Sequence, residues 1–203
     1  MFAQVIQGPV SDAGEARAAL AQWQQEVAPG AVGWLGSTAG VTDDGQFLAV
    51  ARFDSAESAR RNSERLEQDA WWTQTSKLFT AEPKFTDSVD VALDIVGNPD
   101  EAGFVQVIQG RTSDPKRARE MMSGDDSGQW AAFRPDVLGS AGIGHENGAY
   151  TMVLYFTTEA EARAGESKEL TAEMAAQMEE MNSLAVGESK YFDLKRPIIF
   201  SPR

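Results

Sequence analysis

Cysteine is absent from the 203-residue sequence, and histidine occurs once. The absence of cysteine excludes disulfides, thiolate metal sites, iron–sulfur clusters and a cysteine nucleophile. No stretch reaches the apolar length that a membrane helix requires, and residues 1–5 lack the basic and apolar regions of a signal peptide. We therefore expect a cytoplasmic protein that does not enter membranes.

Positive charge is also scarce, because 18 lysines and arginines stand against 31 acidic residues, for a formal net charge of −13. The basic residues are scattered and form no stripe along the sequence. Such a chain repels phosphate backbones and anionic lipid surfaces. We expect no nucleic-acid partner and no membrane partner.

The common motifs of cofactor and metal chemistry are missing as well. The sequence has no dinucleotide-binding glycine motif, no phosphate-binding P-loop, no HExxH and no nucleophile elbow. Its adjacent acidic pairs, Asp43-Asp44 and Asp125-Asp126, stand beside glycines in segments typical of solvated turns. The sequence therefore predicts no metal site and no cofactor.

What the sequence does contain is a duplication. Residues 2–8 read Phe-Ala-Gln-Val-Ile-Gln-Gly, and residues 104–110 read Phe-Val-Gln-Val-Ile-Gln-Gly, at an offset of 102. Leu-Gly-Ser at 35–37 returns at 138–140, at an offset of 103. Matches at a nearly constant offset indicate two copies of one unit.

We assign the first copy to residues 1–96 and the second to 103–203. Residues 97–102 form a short polar linker, and a linker this brief should hold the copies as an intramolecular pair.

Hydrophobic periodicity predicts the same order of elements in each copy. In the first copy the predicted elements are a strand near 2–8, a helix from Asp12, strands near 31–41 and 46–53, a second helix from Ser55 and a strand near 84–93. A hairpin turn is predicted in each copy, at Asp43-Asp44-Gly45 and at Glu146-Asn147-Gly148. The second copy also has a capping box at Thr158 and Glu161 and a last strand near 188–194. The order strand, helix, strand, strand, helix, strand is the ferredoxin-like α+β arrangement.

Both faces of these sheets are predicted to be buried. Strands such as 47–51 and 150–156 are apolar on both faces, which a sheet bare on one side would not need. The two copies can cover each other. We therefore expect tandem ferredoxin-like repeats packed sheet to sheet as an intrachain dimeric α/β barrel, in a protein that is a monomeric pseudo-dimer or a homodimer.

The opening strands, the Leu-Gly-Ser segments and residues 53–59 together resemble antibiotic-biosynthesis-monooxygenase-like domains of the dimeric α+β barrel superfamily. The resemblance implies a fold shared by cofactor-free oxygenases of polyphenols, haem-degrading enzymes, muconolactone-isomerase-like proteins and proteins of unknown role. Haem-degrading members carry a histidine on the second helix, which neither copy has. The resemblance therefore implies no haem.

Four glutamines recur at matched positions of the first strands, namely Gln4 and Gln7 with Gln106 and Gln109. Glutamine is a poor strand filler, so these amides are candidate ligand contacts. Because side chains alternate along a strand, at most one glutamine of each pair can face the helices.

Asp87 and Asp193 occupy matched positions on the closing strands, and His145 precedes the second hairpin turn. A carboxylate or imidazole beside a pocket could accept a proton from a phenol or enol. These three residues are the candidate catalytic groups, although solvated strand ends and turns are the commoner setting for such residues.

Aromatic side chains are the candidate walls of a pocket. Trp71 and Trp72 cannot point the same way from one helix, so at least one should face a cavity, a partner or solvent. Phe79 lies nearby, and Tyr155 marks the second copy. Either copy could hold the pocket, although residues 123–128 interrupt the first helix of the second copy with glycine and acidic residues.

Three functions remain open at this point. The favoured one is binding of a small apolar or aromatic metabolite. The first alternative is a cofactor-independent monooxygenase or isomerase acting on a phenolic or enolic substrate. The second is a non-catalytic interaction protein that uses exposed tryptophans and has no enclosed pocket.

Overall fold

The computed structural model describes residues 1–122 and 127–202. Residues 123–126 of the predicted interruption at 123–128, which include Asp125-Asp126, lie outside these residues. Two compact units are formed: unit 1 comprises Met1–Val91 with Asp193–Arg203, and unit 2 comprises Ala92–Phe192. The boundaries of the compact units, after residues 91 and 192, therefore differ from those of the predicted repeats, 1–96 and 103–203.

The duplication is visible in the order of the elements. In the first half these are β1 Phe2–Pro9, α1 Ala13–Gln22, β2 Trp34–Val41, β3 Gln46–Phe53, α2 Ala56–Ser63, α3 Leu66–Thr75, β4 Lys84–Ser88 and β5 Val91–Ile95. In the second half they are β6 Phe104–Arg111, α4 Pro115–Met122, α5 Ser127–Phe133, β7 Val137–Gly144, β8 Ala149–Phe156, α6 Glu159–Glu166, α7 Ala172–Ser183, β9 Lys190–Leu194 and β10 Ile198–Phe200.

Two five-stranded sheets result. Their strand orders are β10-β2-β3-β1-β4 and β5-β7-β8-β6-β9. Within each sheet, four strands of one repeat have the ferredoxin-like order, and the fifth strand comes from the adjoining part of the other repeat. The predicted tandem ferredoxin-like α+β fold is confirmed.

The predicted hairpin turns and helix cap are confirmed. Gly45 has φ +82°, and Asn147 and Gly148 have φ 56° and +74°, the conformation that glycine and asparagine tolerate. Thr158 Oγ1 accepts the Glu161 backbone N–H at 3.2 Å and donates to a carboxylate oxygen of the same residue at 2.9 Å. The predicted Thr158 cap therefore begins α6, with the Glu161 carboxylate bonded to the Thr158 hydroxyl and not, as in a full capping box, to the Thr158 backbone N–H.

The predicted closing strands were wrong in one respect. The segment near 84–93 is not one strand, because the Ser88 hydroxyl accepts the Asp90 N–H at 3.0 Å and a bend separates β4 from β5. These two strands belong to different sheets, and the chain after β9 likewise continues into β10 of the first sheet. Each predicted second helix is also two helices, α2 with α3 and α6 with α7.

The C-terminal strand is fixed to unit 1 by contacts along its length. Ile198 and Phe200 pair with Ala39 and Ser37 of β2. Gly36 has φ +133°, and a Cβ there would lie 2.8 Å from the Phe200 carbonyl oxygen, so only glycine allows the close approach.

None of the helices in the described ranges is both long and apolar enough to span a membrane.

Candidate ligand-binding cavity in unit 1

Unit 1 contains a cavity of about 340 Å³ between the helix-side face of its sheet and its helices. The volume lies at the lower end of the range of about 300 to 1,000 Å³ found for small-molecule sites. The lining combines aromatic, alanine and amide side chains with one carboxylate and one guanidinium. The residues are Phe2, Gln4, Ile6, Leu20, Trp23, Ser37, Ala39, Phe47, Ala49, Ala51, Phe53, Ala56, Ala59, Arg60, Asn62, Ser63, Gln68, Trp71, Trp72, Asp87 and Phe200.

Small side chains on the central strands leave this space open. Alternate residues of β3 face the helices, and two of these are Ala49 and Ala51. Ala51 lies between Gln4 of β1 and Ser37 of β2, which also line the cavity. The middle of the sheet therefore forms a floor of short side chains.

One wall of the cavity is a run of tryptophans. The rings of Trp23 and Trp71 lie 6.4 Å apart, and those of Trp71 and Trp72 lie 6.0 Å apart. Trp71 is fixed by its indole N–H, which donates to the Ala19 carbonyl at 2.8 Å. Both residues of the predicted Trp71-Trp72 pair thus line the cavity.

The predicted wall residue Phe79 lies behind this surface. Its ring packs 5.9 Å from that of Trp72 and 5.3 Å from that of Phe47. A Cβ at Gly8 would lie 2.9 Å from the Phe79 ring, so the missing side chain makes room for it. Phe79 supports Trp72 and is not a lining residue.

A polar pair lies on the sheet side of the cavity. Gln4 and Asp87 are directly opposite each other on β1 and β4, and Gln4 Nε2 donates to Asp87 Oδ1 at 2.8 Å. Because β4 is an edge strand, Asp87 is exposed and stands where the cavity meets solvent. Gln7 points to the opposite face of the sheet, as the alternation requires.

The helix side carries a second polar group that the sequence analysis missed. Gln68 Oε1 accepts from Trp23 Nε1 at 2.8 Å and from Asn62 Nδ2 at 3.2 Å. Asn62 is held by Arg65, whose Nη1 donates to Asn62 Oδ1 at 3.0 Å. The only available sequence signal was that Gln68 shares a helix face with residues three and four positions later, Trp71 and Trp72.

Arg60 also lines the cavity, but acidic neighbours already bind its guanidinium. Its side chain is 56% exposed and pairs with Glu57 at 2.8 Å and Glu64 at 2.5 Å. Hydrogen bonds from the guanidinium to these two carboxylates raise its pKa above the ordinary value. Arg60 therefore lies at the exposed rim of the cavity with its charge already paired.

The matched residues of unit 2 follow the same alternation. Phe104, Phe156 and Leu154 pack with α6, so Gln106 shares the helix-side face with Phe104, and Gln109 and Tyr155 point the other way. Gln106 and Tyr155 are 8% and 3% exposed. None of these residues lines the unit 1 cavity.

Two further candidates are also separate from this cavity. Asp193 lies on β9, which neighbours β6 in the second sheet. His145 begins the hairpin turn of unit 2, and its Nε2 lies 2.9 Å from the hydroxyl of Thr151. Of the predicted site residues, the structure brings Gln4, Asp87, Trp71 and Trp72 together.

Within residues 1–122 and 127–202, no group of three or more histidine and acidic side chains is arranged to hold a metal ion.

No protein-family model matches the sequence, and no curated protein shows a significant match. Solved structures do match over the whole length. A candidate monooxygenase from Lactobacillus acidophilus NCFM has a TM-score of 0.74 at 12% identity, covering 98% of this chain and 99% of that chain. A candidate monooxygenase from Fusobacterium nucleatum subsp. nucleatum ATCC 25586 has a TM-score of 0.79 at 10% identity, covering 98% and 94%.

An anthrone oxidase-like protein has a TM-score of 0.69 at 10% identity, covering 98% of this chain and 92% of that chain. At these identities the similarity shows the fold alone, and the predicted resemblance is confirmed at the level of the fold.

Proposed function

We propose that unit 1 binds a small aromatic molecule with a hydroxyl group in its cavity. The observation that carries the proposal is the Gln4–Asp87 pair beside tryptophan rings in an otherwise largely apolar space. Pockets for small molecules are typically apolar, with a few polar groups that fix the ligand's orientation. Tryptophan faces favour a flat aromatic ring.

The polar pair defines the group that the ligand must supply. A carboxylate is an acceptor only, so the Gln4 atom bonded to Asp87 is the amide nitrogen, and the Gln4 oxygen stays an acceptor. Within the described residues, Asp87 Oδ2 and Gln4 Oε1 accept no side-chain hydrogen bond. Two acceptors at one place in the cavity suit a ligand O–H donor.

Cofactor-independent oxygenation is the second candidate function. A hydroxyl bound to Asp87 could transfer its proton to the carboxylate, which would leave an electron-rich phenolate able to reduce oxygen. The names of the full-length structural neighbours, two candidate monooxygenases and an anthrone oxidase-like protein, support this candidate. The reaction would use the substrate itself to activate oxygen.

The binding proposal is tested by calorimetric titration with 2-naphthol and naphthalene. We expect Asp87→Asn to weaken 2-naphthol binding about tenfold, because a hydrogen bond to a charged group contributes roughly 1.5 to 3 kcal/mol. Naphthalene binding should change little. Asp193→Asn, at the matched position of the second repeat, is the control and should leave both affinities unchanged.

Equal losses of affinity for both ligands would contradict the hydroxyl contact. A loss confined to Asp193→Asn would move the site to the second sheet, where Asp193 lies on β9. Oxygen uptake with 2-naphthol and with anthrone separates the two candidate functions. Oxygenation is supported if the unsubstituted protein consumes oxygen and Asp87→Asn abolishes this uptake. Binding of these compounds without oxygen uptake supports the binding function alone.

A further inference from the structure

Gln68 is oriented by its neighbours, so its amide can be assigned atom by atom. An indole N–H can only donate, so the Gln68 atom 2.8 Å from Trp23 Nε1 is the carbonyl oxygen. A guanidinium can also only donate, so the Asn62 atom bonded to Arg65 is Oδ1. The other amide atom of Asn62 is therefore the nitrogen Nδ2, and it donates to the same Gln68 oxygen.

This arrangement leaves the Gln68 amide nitrogen as a donor. None of the described residues accepts a hydrogen bond from Nε2, and the atom is accessible rather than sealed in the protein. Gln68 lines the cavity from α3, whereas Gln4 and Asp87 line it from strands. The helix side of the cavity therefore carries a donor whose amide is held by hydrogen bonds, and the sheet side carries the acceptors Gln4 Oε1 and Asp87 Oδ2.

Resting on the proposed function, we infer that Gln68 is a specificity-determining residue whose Nε2 binds a hydrogen-bond acceptor on the ligand, such as a carbonyl oxygen. Two bonds to its oxygen hold the amide in place before the ligand arrives, which lowers the entropic cost of binding. A ligand with a hydroxyl for Asp87 and an acceptor for Gln68 would satisfy both walls.

Trp72 is another donor in the lining that could bind such an acceptor. Its indole N–H makes no hydrogen bond with the described residues, and the residue lines the cavity. The Trp72 ring packs against Phe79 at 5.9 Å and Phe85 at 5.2 Å, so its position depends on ring packing alone. Gln68 is favoured because its donor is fixed by hydrogen bonds.

The test is a titration of 2-naphthol and 6-acetyl-2-naphthol, which differ by one carbonyl-bearing group. We expect the unsubstituted protein to bind the acetyl compound about tenfold more tightly, as one good hydrogen bond allows. Gln68→Glu keeps an acceptor for Trp23 and Asn62 but loses the donor, so this preference should disappear while the melting temperature is retained. Gln68→Met is the second variant, and it removes both the acceptor oxygen and the donor nitrogen of the amide.

Trp72→Phe keeps the ring, removes its N–H and should preserve the preference. A preference that persists in both Gln68 variants, or that Trp72→Phe abolishes, overturns the assignment of Gln68 while the proposed function stands. The proposed function fails separately, if neither naphthol binds the unsubstituted protein.

Discussion

The cavity floor offers a substitution whose effects on stability and on binding should have opposite signs. Ala51 lies between two other lining residues, Gln4 and Ser37, so a larger side chain at this position enters the empty space. Ala51→Leu adds three carbon atoms, and each buried methylene contributes about 0.8 kcal/mol. Ordering the leucine side chain costs roughly 0.5 to 1 kcal/mol. We expect a net gain of about 1.5 kcal/mol in the free energy of unfolding.

The matched control is Ala3→Leu on the opposite face of the same sheet. Ala3 is 0% exposed, and side chains that are already packed should resist a larger group at a cost of about 1 to 3 kcal/mol. The two variants carry the same chemical change, so only the empty space next to Ala51 separates their outcomes.

Urea unfolding gives the stability, and calorimetric titration with 2-naphthol gives the affinity. Ala51→Leu should be the more stable protein and should lose at least tenfold in affinity, whereas Ala3→Leu should be less stable. If both substitutions destabilise equally, the space beside Ala51 is filled in solution. Full affinity in a stabilised Ala51→Leu variant would place the ligand elsewhere.

Two further outcomes are expected. Burial raises the pKa of Asp136, but the hydrogen bond and charge of Arg134, 2.7 Å away, outweigh burial and leave the pKa lowered. This ionised carboxylate therefore stabilises the protein above the unfolded-state pKa of about 3.9, and the contribution is lost as pH falls through the lower folded value. In Asp136→Asn, the free energy of unfolding measured with urea should fall less between pH 5 and pH 2 than in the unsubstituted protein. An equal fall in both proteins would contradict this. Phe200→Ala should lower the free energy of unfolding by about 3 kcal/mol, because Phe200 is only 7% exposed. It should also weaken 2-naphthol binding, because Phe200 lines the cavity. Lower stability with unchanged affinity would remove Phe200 from the site.

Much of the local architecture could be predicted from the sequence because its signals are local. The Asn147-Gly148 turn requires positive φ, and the Thr158–Glu161 cap needs residues three positions apart. The pairing of β10 with β2 could not be predicted, because a three-residue strand carries little periodicity and its partner lies far away in sequence.

The candidate site was predictable only in part for the same reason. Gln4 and Asp87 were recognisable as unusual residues on strands, but their hydrogen bond depends on the register between β1 and β4. Gln68 looks like an ordinary surface glutamine in the sequence. The hydrogen bond that orients its amide becomes visible only when Trp23, at the start of a π-helical turn after α1, is placed beside it.

The strand that completes the first sheet has a consequence for synthesis of the protein on the ribosome. Most of unit 1 is translated first, yet its outer strand β10 and the cavity residue Phe200 are made only after the intervening unit 2 segment, Ala92–Phe192. Until then the nascent unit has a bare β2 edge, and unpaired edges invite association with other strands. A ribosome stalled in the second repeat would therefore carry a unit 1 that lacks both strand β10 and the lining side chain of Phe200.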